Sequence, residues 1–183
     1  AVIGAIGSGK SYVAKQFGYP VFNADLEVSK LYTKSKKCYL KLKKILPKYI
    51  SSFPISKKEL TKAVLSEKNN IKKINRIIHP EIRQKMNRFI IKNKSKKFVI
   101  LDVPLYIENK LNKKNDIIIF VDAKKKEVNK RLKKRINFNK KIFKLNNTKY
   151  YFCMTFKDVP SRYVTLYASA EASALNIYYQ RTR

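Results

Sequence analysis

Short apolar runs alternate along this chain with long stretches in which apolar residues recur every three or four positions. Ala1 to Ile3 is too short a run for a helix and reads as a strand. A glycine-rich turn follows, and Ser11 to Phe17 then read as a helix, with Val13 and Phe17 one turn apart and Gly18 as the stop. Val21 and Phe22 form a second short strand, ending at Asn23-Ala24-Asp25. From about Leu26 to Asn93 the pattern is helical. Ser56-Lys57-Lys58-Glu59 is a capping box ahead of Leu60, Val64 and Leu65. Ile71, Ile74 and Ile78 keep helical spacing up to Pro80, where a break is expected, and Ile82, Met86, Phe89 and Ile90 resume it. Phe98 to Leu101 suits a buried parallel strand with Asp102 at its carboxyl end, and Asp116 to Ala123 repeats that form. A basic helix with Val128 and Leu132 inward comes next. Strands that alternate with helices imply a doubly wound α/β sheet.

Composition adds a boundary and a charge. The 183 residues suffice for one domain, with room for a small inserted subdomain. The 43 Lys and Arg against 12 Asp and Glu leave a net charge of +31, which attracts polyanions of any kind. Because the basic residues are spread along the chain rather than gathered with aromatics into one stripe, nucleic-acid binding is not expected as the main function. Cys38 and Cys153 have no metal-ligand spacing and make no disulfide framework, so free thiols in a reducing, cytoplasmic setting are expected. No run approaches the roughly 18 apolar residues of a membrane span, and no signal peptide is recognisable. The chain opens without Met inside a strand, which reads as an incomplete N-terminus. From Tyr150 to Arg183 only Lys157 is lysine, and this stretch reads as an atypical tail, disordered or aberrant, with no evident place on the sheet.

The turn from Gly4 to Ser11 fits G-x-x-x-x-G-K-[ST], a phosphate-binding loop, in the strand-to-helix context that the motif demands. Its backbone, from Gly4, Ala5, Ile6, Gly7, Ser8 and Gly9 on through Tyr12, would line a nucleotide polyphosphate. Lys10 would reach the β- and γ-phosphates and Ser11 would hold Mg²⁺. Asp25, at the carboxyl end of the second strand, is placed where ligands sit in open parallel sheets and is the candidate for orienting or deprotonating an acceptor hydroxyl. Asp102 has two readings, a Mg²⁺-linked carboxylate or a cap on the next turn. Arg131 and Arg135, four residues apart on the basic helix, either fold over phosphates as a lid or belong to a solvated face. His79, before Pro80, reads as a structural histidine.

Five blocks together are more specific than the loop alone. "IGAIGSGKSYVAKQF", "VFNAD", "INRIIHPEIRQKM", "VILDVPLYIE" and "IIIFVDAKKKEVNKRLKKR" occur in the order and spacing of dephospho-CoA kinases, and the chain resembles that family over roughly residues 1–143. The resemblance implies a three-layer P-loop kinase fold: a parallel sheet flanked by helices, a helical acceptor-binding insertion at about 26–93, and a helical lid at about 124–143, with 144–183 left as tail. It implies ATP-dependent phosphorylation, with Mg²⁺, of the ribose 3′-hydroxyl of dephospho-CoA, the last step of coenzyme A synthesis. Carried over by position, Lys10 and Ser11 are the loop residues, Asp25 the general base, and Arg131 the lid arginine; Arg135 stays a nucleotide-side candidate on the basic helix alone. His79, Pro80 and Arg83 match the motif beside the acceptor pocket, and Pro104 and Leu105 are further acceptor-side positions. Asn23 stands where the family has the first acid of Asp-Ala-Asp, Tyr106 where an apolar residue is usual, and Glu108 keeps an acidic end. The expected partner is the small-molecule acceptor, with no membrane and a monomer or weak oligomer.

Two other readings compete on the residues. Another small P-loop kinase, for nucleosides, nucleotides or small alcohols, would share the sheet and lid, and substrate competition separates it. A non-catalytic basic module binding nucleotide or nucleic acid would weaken steeply with salt and need neither Asp25 nor Mg²⁺.

Overall fold

Val2, Val13, Ala14, Ile100 and Val121 meet in one buried cluster, with Phe17, Tyr19, Val21 and Ile119 packed against it. These are the apolar positions of the short strands and the first helix, so the sequence pattern and the core coincide. The computed structural model describes residues 1–107, 109–113 and 116–134 and the backbone of a strand at 163–167. It divides into two compact units, Ala1–Phe22 with Phe98–Arg183, and Asn23–Lys97.

The first unit holds a parallel sheet. Its strands are β1 (Val2–Ile3), β2 (Val21–Asn23), β3 (Ile100–Asp102), β4 (Ile118–Asp122) and β5 (Tyr163–Tyr167), in the spatial order β2-β3-β1-β4-β5. β1 pairs in parallel with β3, Val2 opposite Asp102, and with β4, Val2 and Ile3 opposite Ile119 and Phe120. Parallel pairing turns the carboxyl ends of these strands the same way, so the loop after β1 and Asp102 at the end of β3 share one edge. α1 (Lys10–Gln16) follows that loop, and α6 (Lys125–Lys133) follows β4.

β5 corrects the expectation that the tail has no place on the sheet. Tyr163–Tyr167 pairs in parallel with β4 over five residues, Ile118 opposite Tyr163 through Asp122 opposite Tyr167. The sequence signal was present in Tyr-Val-Thr-Leu-Tyr, all aromatic, β-branched or aliphatic residues. The change of composition around it masked that signal. Cys153 and the remainder of the tail lie outside the described residues, as do Glu108 and Arg135.

The second unit is helical, with α2 (Ala24–Lys34), α3 (Lys36–Ile45), α4 (Lys57–Ser66) and α5 (Lys68–Lys92). The first three all pack on α5. Each has a side-chain N-cap: Asn23 for α2, Ser35 for α3, and the Ser56–Glu59 capping box for α4. Pro80 does not break the helix as expected. α5 runs 25 residues straight through it. Pro in a helix costs about 3 kcal/mol, whereas burying an aliphatic side chain is worth about 1.5–3 kcal/mol. Ile74, Ile78, Ile82 and Met86, buried on both sides of Pro80, therefore hold the helical register.

Candidate active site

The loop after β1 owes its path to glycine. Gly4 has φ 143°, and a Cβ there would lie 2.2 Å from the Val121 carbonyl oxygen of β4, so a side chain would push the strand away. Gly9, at φ 104°, is the N-cap of α1, and no side chain caps the helix there. The Tyr12 and Val13 N–H groups donate back to the Gly9 carbonyl at 3.0 Å each. The Tyr12 ring is exposed. Lys10 Nζ folds over the loop and donates to the carbonyls of Gly4 at 2.9 Å and Ala5 at 2.8 Å.

Two other elements close on this loop. From β3, Asp102 is buried, and its Oδ2 accepts from the Ser11 hydroxyl at 2.5 Å. From α6, Arg131 donates to the carbonyls of Ser8 at 2.9 Å and Gly7 at 3.3 Å. Val128 and Leu132 seat the helix over the loop, 3.2 and 3.3 Å from where a Cβ on Gly7 would stand. The guanidinium thus lies on the loop backbone, not out on a solvated face.

Pro104 and Leu105 occupy the turn after β3. Leu105 takes φ 55°, a left-handed conformation costly for a bulky residue. Beside it, Tyr106 is buried at 2 % exposure. Its hydroxyl donates to Asp116 Oδ2 at 2.8 Å, and the Lys113 N–H donates to the same oxygen at 2.7 Å. Burial first, then the bonded Asp116 carboxylate, pushes the Tyr106 phenol well above its ordinary value. A tyrosine fits this buried position because its polar tip is satisfied.

The second unit carries Asp25, His79 and Arg83. Asp25 stands exposed in the first turn of α2, where a negative charge suits the helix N-terminus. Asn23 Oδ1 accepts from the Leu26 N–H at 2.8 Å, so the residue in the first acidic position caps the helix that carries Asp25. His79 and Arg83 lie one turn apart on α5 and line an open groove of about 410 Å³ with Lys72, Asn75, Arg76 and Pro80. Burial, and then the charge of Arg83, lowers the His79 pKa below its ordinary value. Lys72 and Arg76 went unmarked in the sequence because so many lysines and arginines surround them. Their spacing with His79 and Arg83 along one helical face was the available signal.

The first unit therefore brings together Lys10, Ser11, Asp102 and Arg131 around the loop, and the second gathers His79 and Arg83. The dephospho-CoA kinase family profile matches residues 1–146. The chain is 34% identical over 151 residues to a dephospho-CoA kinase of Bartonella quintana, covering 80% of this chain and 77% of that protein. It is also 34% identical over 137 residues to the dephospho-CoA kinase of a Wolbachia from Brugia malayi, with 72% and 70% covered. In fold it is similar to the crystal structure of TT1252 from Thermus thermophilus, with a TM-score of 0.68 at 22% identity over 93% of this chain and 87% of that one. It is similar, too, to dephospho-CoA kinase from Campylobacter jejuni, with a TM-score of 0.57 at 22% identity over 92% and 88%.

Proposed function

This chain belongs to the dephospho-CoA kinase family, and we propose on that premise that it transfers the γ-phosphoryl group of ATP to the ribose 3′-hydroxyl of dephospho-CoA, completing coenzyme A. The observation that carries this is the convergence of Lys10, the Ser11–Asp102 pair and Arg131 on one glycine loop at the carboxyl edge of the sheet. The bond from the 3′-oxygen to γ-phosphorus forms, the bond from phosphorus to the β,γ-bridging oxygen breaks, and ADP leaves. The hydroxyl proton passes to Asp25, the general base.

The loop from Gly4 to Ser11, with Tyr12, seats the polyphosphate on its N–H groups. Lys10 turns from the carbonyls of Gly4 and Ala5 to the phosphates, and Arg131, with Arg135 beyond it, stabilises charge on the transferred group. Ser11 and Asp102 fit Mg²⁺, since a hydroxyl and a buried carboxylate in contact are hard oxygen donors, and the ion would neutralise charge between the β- and γ-phosphates. His79, Arg83, Pro104 and Leu105 contact the acceptor, and the helical unit carries its recognition. No described helix is long and apolar enough to cross a membrane; we place the enzyme in the cytoplasm as a monomer or weak oligomer. The test is ATP-dependent phosphorylation of dephospho-CoA beside adenosine and shikimate. Product from dephospho-CoA alone is expected, and product from another acceptor in its place overturns the assignment.

A further inference from the structure

The groove on α5 has a chemistry of its own. Lys72, Arg76, His79 and Arg83 recur at helical spacing, so they line one face over about 16 Å of helix, at roughly 1.5 Å rise per residue. No carboxylate lines it. The acids nearby are committed to other lysines: Glu81 to Lys37 at 3.5 Å and Lys41 at 3.4 Å, Glu67 to Lys73 at 3.8 Å, and Glu27 to Lys30 and Lys85. Among the described residues Lys72 and Arg76 have no ion-pair partner, and both are exposed. Pro80 lacks an N–H, so the Arg76 carbonyl has no helical donor four residues on, and it adds an acceptor beside the Asn75 amide. Cations set along a small-molecule-sized groove, with amide and carbonyl groups between them, match a charged bridge flanked by neutral polar arms.

We propose that Lys72 and Arg76 seat the diphosphate bridge of the acceptor on α5, with Arg83 beyond them, as specificity-determining residues for an acceptor that carries a diphosphate. The assignment rests on the function proposed above. It also separates an acceptor that carries a diphosphate from a plain nucleoside, because a nucleoside leaves these cations unanswered.

His79 is the chain's one histidine, so its imidazole signals in NMR report on this groove alone. Titrating the full chain with pyrophosphate at constant ionic strength is expected to shift those signals saturably and to raise the His79 pKa. The shift should survive Lys10→Ala, which disables the glycine loop, and lose about tenfold or more in affinity in Lys72→Ala/Arg76→Ala, as expected for lost charge-assisted bonds. Dephospho-CoA should reproduce the shift and adenosine should not, and the KM for dephospho-CoA should rise about tenfold in the double variant while the KM for ATP stays put. An imidazole unmoved by pyrophosphate, or a shift that survives Lys72→Ala/Arg76→Ala, overturns the anion seat. A response to pyrophosphate but not to dephospho-CoA overturns the acceptor assignment. A chain that shows the full shift with dephospho-CoA yet makes no phosphorylated product keeps the seat and overturns the proposed function instead.

Discussion

The Ser11 hydroxyl donates to Asp102 Oδ2 across 2.5 Å of space and 91 positions of sequence. Parallel pairing of β1 with β3, Val2 opposite Asp102, makes the contact, because it brings the start of the glycine loop and the carboxyl end of β3 to one edge. On the proposed reading this hydroxyl and this carboxylate are the Mg²⁺-side pair.

Asp102→Asn keeps the shape of the side chain and removes its charge. The Mg²⁺ concentration for half-maximal rate should rise by about 10- to 100-fold, the range seen when groups supporting a metal are removed. A Mg²⁺ titration at saturating ATP checks it, and an unchanged midpoint would leave Asp102 as a cap on the following turn.

Asp25→Asn should lower kcat by about 10²-fold or more, the usual contribution of a positioned base, with ATP affinity nearly unchanged. Steady-state rates together with calorimetric ATP titration separate the two effects. Wild-type turnover in this variant would remove Asp25 from the base role.

Arg131→Ala should cut kcat by about 10²-fold, comparable to losing one donor to a developing anion. Lys at this position should restore little, since an ammonium lacks the planar, many-donor guanidinium, whose Nη1 here donates to the carbonyls of both Gly7 and Ser8. Rescue by Arg131→Lys to near wild-type rates would reduce the role to simple charge.

Glu59 ties down the segment before α4. Its carboxylate accepts from the N–H and hydroxyl of Ser51, Ser52 and Ser56. Desolvation works against the charged form, but the N–H groups of Ser51 and Ser56, the Ser51 hydroxyl and the Ser52 N–H outweigh it and hold the pKa well below its ordinary value. A carboxyl with a depressed folded-state pKa stabilises above its unfolded value, here 4.5, and that stability fades as pH falls below it. Glu59→Gln should therefore be less stable than wild type at neutral pH, with the gap narrowing as pH drops below about 4.5. Urea unfolding at a series of pH values reads this directly. Ser56→Ala, which removes the N-cap, should cost about 1 kcal/mol in the same assay.

Gly4→Ala places a methyl 2.2 Å from the Val121 carbonyl oxygen. The variant should unfold at lower denaturant, by about 1–3 kcal/mol for a strained backbone position, and lose ATP binding with it. A wild-type unfolding midpoint would show that β4 yields at no cost.

Local pattern sufficed wherever a short range of sequence carries the physics. The glycine loop, the Ser56–Glu59 capping box, and the strands around Val2, Ile100 and Val121 are legible because turn chemistry, capping and apolar runs act within a few residues. Tertiary structure decided the rest. Whether α5 breaks at Pro80 depends on burial of Ile74, Ile78, Ile82 and Met86 against other helices, which no local propensity contains. That Tyr163–Tyr167 joins the sheet depends on pairing with β4, a contact made 45 residues away in sequence, Ile118 with Tyr163. On its residues alone Arg131 had two readings, a lid over phosphates or a solvated face, until Val128 and Leu132 seated α6 on Gly7 and brought the guanidinium to the Ser8 carbonyl. A lysine-rich sequence makes every cation look alike, and only packing sets which ones face a loop or a groove.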